Sequence, residues 1–363
     1  MTDPRSPHLW LALSPHGFGH AAMTAPVIAE LRRRLPGLRL TIQTAVSPEF
    51  LSSRYGTDFT LVPHIPDFGL RMLSATHIDL EASARGYVEL HADWPGLVAQ
   101  EAARLRAAAP DLVLANIPYV TVAAAHAAGI PVVALSSLEW ADIYDHYLGH
   151  RPEADAIKGQ MAEAYNRAAV FLRVTPAMDM PSLRNIRDIG PVGMKGRGDT
   201  AALKARLGLG AADRLGLIAF GGIDHDMDLS RWPRLPGWHW LSTLAAPESR
   251  DDIRPWRETG WDYADMAASV EVIVTKPGYG TFVEAAMAGV PVIYTARPDW
   301  PECPHLDGWL KQHGRAVECR TEDLSGDGLE IQLRKLFSLP IPPLVTANGN
   351  CEAADMLVAM LRG

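Results

Sequence analysis

Residues 272–294 read VIVTKPGYGTFVEAAMAGVPVIY. The apolar run predicts a buried strand, and the Gly-x-Gly-Thr turn from Gly278 to Thr281 predicts entry into a helix. A helix that begins there offers its unpaired backbone amides and the positive end of its dipole to an anion. Glu284 is expected on the first turn of that helix, where a carboxylate can accept hydrogen bonds from both hydroxyls of a ribose. The stretch therefore predicts a nucleotide diphosphate site, with a glutamate favoured by the dipole alone as the alternative.

A second glycine turn follows the apolar run at residues 215–220, where Gly221 and Gly222 stand side by side. Backbone amides exposed by such a turn form a nest suited to a diphosphate. Paired glycines after a strand more often mark only a tight turn, and the nearby Asp224 and Asp226 repel phosphate unless they point away. The pair therefore supports a diphosphate site only together with residues 272–294.

A third glycine turn lies near the start of the chain, where residues 9–20 read LWLALSPHGFGH. Its glycines let the backbone approach a ligand closely at the carboxyl end of the first strand. The turn is not a GxGxxG, so the dinucleotide-binding pattern is absent. His16 and His20 bracket the turn, and a near-neutral imidazole suits a general base that takes a proton from a hydroxyl. Capping of the helix or bonding within the loop is the alternative role for each histidine.

Short apolar runs recur along the chain, each followed by a loop and a segment of helical periodicity. They lie at residues 9–14, 38–44, 59–65, 111–117, 131–137 and 170–175, and again at 215–220, 270–275 and 291–295. Strands that alternate with helices pair in parallel through right-handed crossovers. Because 363 residues exceed the size at which one core stops growing, we expect an N-terminal domain over residues 1–190 and a C-terminal domain over 191–345. A final helix is expected over 346–363, and its return to the first domain stays open.

Composition narrows the class of protein. A formal net charge of -8 gives no basic field that would recruit a nucleic acid backbone. The three cysteines form no CxxC pair, and their odd number does not suit a disulfide framework, so we expect a reducing, cytoplasmic setting. No apolar run reaches the roughly 18 residues of a membrane-spanning helix. Peripheral contact with a membrane is left open.

The three glycine turns together look like the sugar-nucleotide signature of GT-B glycosyltransferases. They are similar to those of the family that adds N-acetylglucosamine during peptidoglycan synthesis (family 28) and of the UDP-glycosyltransferase superfamily. The resemblance covers both halves of the chain. It implies an α/β, GT-B architecture, in which two Rossmann-like doubly wound domains face each other across a cleft. By motif position, the run Gly17-Phe18-Gly19-His20 gives His20 the role of the catalytic base.

The resemblance also implies a set of donor-binding residues around the diphosphate, the ribose and the sugar. They are Gly19, Gly221, Gly222, Lys276, Gly278, Tyr279, Gly280, Thr281, Glu284, Glu302 and His305. Glu302 and His305 belong to residues 297–306, the segment in which the family holds the donor sugar. This segment departs from the family's usual Asp-Gln pair, which leaves the donor sugar unidentified. Residues 16–20 and 276–306 also resemble the glycosyltransferase-like half of plant arabinokinase.

The resemblance implies an inverting, metal-independent glycosyltransferase, with His20 deprotonating an acceptor hydroxyl. Asp224-His-Asp226 is the one near match to a metal-binding Asp-x-Asp, and it is misplaced for that role. The donor is expected to be a nucleotide-sugar, with a UDP-sugar favoured and no cofactor besides. The acceptor, whether small molecule, glycan or lipid-linked, is unknown. The alternatives are a UDP-sugar 2-epimerase-like enzyme, which needs several carboxylates around the sugar, and a catalytically silent nucleotide-sugar-binding protein.

Two aromatic segments have no assigned role at this level. Residues 139–147 read EWADIYDHY and follow a predicted strand, so they are compatible with an acceptor pocket or with an ordinary amphipathic helix start. Tryptophans also cluster between residues 232 and 261, where core packing and ligand contact explain them equally well.

Overall fold

The computed structural model describes residues 6–16, 19–73, 77–220 and 227–362. Several residues of the predicted glycine turns lie outside these ranges: Gly17, Phe18, Gly221, Gly222, Asp224 and Asp226. The described chain divides into two compact units. The first extends to residue 192 and takes up the chain again from residue 348, and the second comprises residues 193–347.

A seven-stranded parallel sheet forms the centre of the first unit. Its strands are β1 (His8–Leu13), β2 (Arg39–Gln43), β3 (Thr60–Val62), β4 (Leu112–Asn116), β5 (Val132–Ser136), β6 (Val170–Val174) and β7 (Ile186–Ile189). Its helices are α1 (Gly19–Arg34), α2 (Pro48–Tyr55), α3 (Leu80–His91), α4 (Trp94–Ala108), α5 (Tyr119–Ala128), α6 (Trp140–Leu148) and α7 (Ala154–Asn166). Every residue of β1, β4 and β5 is buried, as expected for strands covered on both faces.

A six-stranded parallel sheet forms the centre of the second unit. Its strands are β8 (Arg214–Ala219), β9 (Trp238–Ser242), β10 (Ile253–Pro255), β11 (Val272–Thr275), β12 (Val292–Thr295) and β13 (Ala316–Cys319). Its helices are α8 (Thr200–Arg206), α9 (Tyr263–Ala267), α10 (Tyr279–Ala288), α11 (Cys303–His313) and α12 (Gly328–Ser338), with short 3-10 turns at Leu229–Arg231, Trp256–Thr259 and Thr321–Leu324.

Both sheets follow the same strand order. The first runs β3-β2-β1-β4-β5-β6-β7 and the second β10-β9-β8-β11-β12-β13. In each, the order reverses beside the first strand of the unit, between β1 and β4 and between β8 and β11. Open α/β sheets bind ligands in the crevice at the carboxyl ends of the two strands where the order reverses. Each unit therefore has one such position, its topological switch point. The predicted glycine turns follow β1, β8 and β11.

The α/β class and the parallel pairing predicted from the apolar runs are confirmed, since every predicted run forms a strand. The sequence did not predict β7, β9, β10 and β13. Two of the four residues of β7 are exposed, and β10 has only three residues, so neither forms a continuous apolar run. Edge strands of this kind leave little hydrophobic pattern in a sequence.

The last helix, α13 (Gly349–Arg362), belongs to the first unit, where it packs against α1. Arg34 of α1 forms an ion pair with Asp355 of α13. The backbone amide of Gly190 donates to the Glu352 carboxylate at 2.8 Å, which ties the start of α13 to the end of β7. Among the described residues, no helix is both long enough and apolar enough to cross a membrane.

Three tryptophans from the aromatic segment between residues 232 and 261 pack in the core of the second unit. The rings of Trp232 and Trp238 lie 5.2 Å and 5.3 Å from that of Trp240, which is fully buried. Gly216 of β8 gives Trp240 its space, because a Cβ at this position would meet the indole ring at 2.3 Å. Core packing therefore accounts for these three tryptophans.

Candidate functional site

His20 occupies the first turn of α1, directly above the carboxyl end of β1. Its side chain is 7% exposed, and its Nδ1 lies 2.6 Å from Oδ1 of Asn116. Asn116 is the last residue of β4, the strand that pairs with β1 at the switch point of the first unit. The structure thus brings a histidine and an amide, 96 residues apart in the chain, into one hydrogen bond at the place where such sheets bind ligands.

Hydrogen bonds within the sheet fix the orientation of the Asn116 amide. Its Nδ2 donates to the backbone oxygen of Leu135 at 2.5 Å and contacts the sulfur of Met23 at 3.3 Å. Oδ1, which can only accept, is therefore the atom that faces His20. It follows that Nδ1 of His20 carries the proton, and that Nε2 presents the lone pair that a general base needs.

Burial lowers the pKa of His20 from its ordinary value to about 4, and the hydrogen bond with Asn116 opposes this effect only in part. The imidazole is therefore neutral at pH 7. At pH 7 the imidazole therefore has a lone pair available to accept a proton, which is the protonation state that a general base requires.

The lowered pKa of His20 predicts a loss of stability in acid. The folded state resists protonation of this residue, whereas the unfolded chain takes up the proton near pH 6.5. Stability from this group is thus complete above pH 6.5 and is lost as the pH falls towards 4, by up to about 3 kcal/mol. We expect the free energy of unfolding of His20→Gln, measured by urea denaturation, to fall less than that of the wild type between pH 7 and pH 4.5. An exposed control, His126→Gln, should follow the wild type, and parallel curves for all three proteins would contradict the burial of a neutral His20.

Trp140 forms the neighbouring wall of this site. Its ring lies 6.1 Å from that of His20 and meets the ring of His16 edge-on at 5.2 Å. Residues 139–147 thus comprise the N-cap and most of α6, with the Glu139 carboxylate accepting hydrogen bonds from the backbone amides of Ala141 and Asp142. Trp140, the first residue of this helix, nevertheless lines the site.

Within the described part of the chain, the buried atoms without a hydrogen-bond partner include Oγ of Ser14, which follows β1, and Nε1 of Trp140. Buried polar groups are normally paired, so orphaned atoms near a candidate base are consistent with a ligand that supplies their partner. His16 is half-buried and contacts Trp140, while His20 makes the hydrogen bond to Asn116. The hydrogen bond to Asn116 therefore gives the ring of His20 a fixed orientation.

In the second unit, the predicted strand and helix of residues 272–294 form β11 and α10, but the helix begins earlier than expected. Gly278 is its N-cap and Tyr279 its first residue, so Gly280 and Thr281 lie inside the first turn. Glu284 consequently falls on the second turn, which corrects the sequence-based prediction of the first. An α-helix leaves first-turn amides for acceptors outside the helix, and α10 begins just beyond the carboxyl end of β11, which pairs with β8.

Glu284 contacts the backbone that enters the second unit. One of its carboxylate oxygens accepts a hydrogen bond from the amide of Met194 at 3.2 Å. Gly193 makes this approach possible, because a Cβ there would lie 3.0–3.1 Å from Met287 and Val283 of the same helix. The carboxylate is thus held at a defined position on the outer side of the first turns of α10.

Lys276 directly follows β11, and the predicted sugar-binding segment follows β12. The pKa of Lys276 is lowered, by burial of its ammonium group first and by the charge of Arg297 second. Glu302 is buried and accepts a hydrogen bond from Nε1 of Trp300 at 3.3 Å. His305 is half-buried in the first turn of α11.

The sequence analysis did not single out Asn116, and it included Arg297 only as the first residue of the segment 297–306. Asn116 carried a detectable signal, since it is a polar residue at the end of a buried apolar run. Arg297 carried none by itself, because an arginine in a loop is ordinarily a solvated charge. Among the described residues, no group of three or more histidine, cysteine, aspartate or glutamate side chains is arranged to hold a metal ion.

Comparison with known proteins identifies this architecture. No protein-family model matches the chain. L-arabinokinase of Arabidopsis thaliana is 26% identical over 339 residues, which cover 88% of this chain but only 31% of that protein's length. The glycotransferase of kitacinnamycin has a TM-score of 0.63 at 18% identity, covering 99% of this chain and 96% of its own. Arabidopsis thaliana UGT89C1 complexed with UDP has a TM-score of 0.60 at 15% identity, covering 98% and 99%. The chain has the GT-B fold.

The GT-B fold accounts for the repetition of one strand order in two units. Each unit is a Rossmann-like half with its own switch point. The first half carries His20 and Asn116 at this point, and the second half carries Lys276 and the amino-terminal end of α10. Such a fold hosts several chemistries, so the function has to be argued from these residues.

Proposed function

We propose that this GT-B chain is an inverting glycosyltransferase that moves a sugar from a nucleotide-sugar, with a UDP-sugar favoured, to an acceptor hydroxyl. The observation that carries the proposal is the hydrogen bond between His20 and Asn116 at a switch point. A buried imidazole that is neutral, fixed in one tautomer and 6.1 Å from the Trp140 ring is equipped to remove a proton from a bound hydroxyl.

The reaction uses the lone pair on Nε2 of His20. This atom accepts the proton of the acceptor hydroxyl while the hydroxyl oxygen attacks the anomeric carbon of the donor sugar. The bond from that carbon to the diphosphate oxygen breaks, and the nucleoside diphosphate leaves with the electron pair. Attack from the side opposite the leaving group inverts the anomeric configuration. The Asn116 oxygen stabilises the imidazolium that forms, because it accepts from the Nδ1 proton.

The donor binds the second unit. The first-turn amides of α10, from Tyr279 to Thr281, contact the diphosphate, and Glu284 accepts from the ribose hydroxyls. Gly221 and Gly222 complete the diphosphate site, and Lys276 supplies a positive charge. Donors of this kind offset the charge that develops on the leaving group without a divalent ion. The presence of UDP in the UGT89C1 complex supports a uridine nucleotide.

Calorimetric titration with UDP, GDP, dTDP and ADP tests the donor site. We expect one nucleotide to bind with micromolar affinity and Glu284→Ala to weaken it about 10-fold or more, because the ribose loses a charge-assisted acceptor. Glu330→Ala is the matched control, since Glu330 lies on α12 of the same unit in an exposed ion pair with Arg334. No binding by any of the four nucleotides would contradict the proposed function.

A further inference from the structure

Arg297 is a buried cation whose hydrogen bonds are not satisfied. It follows β12, is 9% exposed, and its guanidinium lies 4.5 Å from the centre of the Trp300 ring. Its Nε and Nη2 are buried and have no hydrogen-bond partner among the residues that the structure describes. These two nitrogens belong to one edge of the guanidinium, the edge that donates two parallel hydrogen bonds to a pair of coplanar oxygens.

The electrostatic surroundings of Arg297 favour the binding of an anion. None of the ion pairs within the described ranges includes Arg297 or Lys276. Yet the two cations are close enough for Arg297 to lower the pKa of Lys276, an effect that the weaker influence of the Glu302 carboxylate opposes. Burial of an unpaired charge is unfavourable, and a like charge nearby adds to the cost. The stacking on Trp300 offsets only part of it.

The position of Arg297 relates it to the donor sugar. It follows β12, next to β11 in the sheet, and therefore lies at the same edge as Lys276 and the amino-terminal end of α10. The proposed function already gives the diphosphate the helix amides and Lys276. The planar fork of Arg297 is an additional donor pair, one strand further along the sheet. It can donate two parallel hydrogen bonds to the oxygens of a carboxylate, an anionic group that a donor sugar can itself carry besides the diphosphate.

We propose that Arg297 binds a carboxylate on the donor sugar, so that the preferred donor is a nucleotide-linked uronic acid. This inference rests on the proposed function and names the class of its donor. The guanidinium would donate from Nε and Nη2 to the two carboxylate oxygens, and the bound anion would supply the negative charge that Arg297 lacks among the ion pairs of the described ranges.

Titration with UDP-glucuronate, UDP-glucose and UDP tests the assignment in the wild type, in Arg297→Lys and in the control Arg334→Lys, whose arginine is exposed on α12. We expect the wild type and the control to bind UDP-glucuronate roughly 10- to 100-fold more tightly than UDP-glucose. Arg297→Lys keeps the charge but loses the fork, so the two sugar nucleotides should become similar in affinity while UDP binds unchanged. Thermal melting checks that the variant is folded.

Other outcomes overturn the inference in distinguishable ways. Equal loss of affinity for all three ligands in Arg297→Lys would assign the guanidinium to the diphosphate. Equal affinity of the wild type for UDP-glucuronate and UDP-glucose would refute the uronate preference while leaving the donor site intact. No binding of any uridine ligand, together with no binding in the four-nucleotide titration, would refute the proposed function as well.

Discussion

His20→Ala is expected to lower the rate of sugar transfer by about 10²- to 10⁴-fold and to leave the affinity for the nucleotide unchanged. The reason is that His20, the proposed base, is buried at the switch point of the first unit, whereas the residues proposed to hold the diphosphate and the ribose, apart from Gly19, belong to the second. Removal of the imidazole leaves the acceptor hydroxyl with its proton in the transition state. The measurement is the release of UDP from a UDP-sugar with a panel of hydroxyl acceptors, run beside calorimetry with UDP.

His126→Ala is the matched control, because His126 is exposed on α5 of the same unit. Excess chelator in every assay tests metal independence at the same time, and loss of wild-type activity under these conditions would contradict it. Full activity of His20→Ala would refute the proposal that His20 is the catalytic base. Wild-type binding of UDP without transfer to any acceptor favours the silent binding protein, and conversion of the donor to its 2-epimer favours the epimerase.

The fold could be predicted from the sequence because the patterns that produce its strands and helices lie within short segments of the chain. Strands buried on both faces need continuous apolar runs, and the runs that became β1, β4 and β11 are visible without any knowledge of tertiary structure. Glycine turns at the ends of β1 and β11 likewise predict that helices begin there, as α1 and α10 do. The strands β10 and β13 escaped because packing against their neighbours, more than their own pattern, makes them strands.

The candidate site could be predicted only in part, because its interactions join distant segments. His20 was found from its turn, but its partner Asn116 is fixed by the adjacency of β1 and β4 and by the carbonyl of Leu135. The unsatisfied edge of Arg297 depends on the side chain of Trp300 and on burial, which composition does not reveal. Glu284 was found, but its turn was wrong because Gly278, rather than a later residue, caps α10.

Asn116→Leu is expected to lower the rate of transfer by about 10²- to 10⁴-fold, close to the effect of removing His20 itself. Leucine cannot accept from Nδ1, so the proton is free to move to Nε2, and the lone pair then faces away from the acceptor. UDP affinity should not change. Since the carbonyl of Leu135 also loses its donor, thermal melting must show that the variant is folded at the assay temperature.

Asn116→Asp separates the role of Asn116 in positioning His20 from a merely structural one. A carboxylate accepts from Nδ1 as the amide does, which keeps the tautomer, but its negative charge stabilises the imidazolium and raises the pKa of His20. The wild-type pKa of about 4 predicts that kcat/KM falls only in strong acid, since the neutral base persists above that value. In Asn116→Asp the fall in kcat/KM should begin at a higher pH, because His20 becomes protonated at a higher pH in this variant. A wild-type profile that already falls near pH 6.5, or an Asp variant whose profile does not move, would show that Asn116 does not govern the proton on His20.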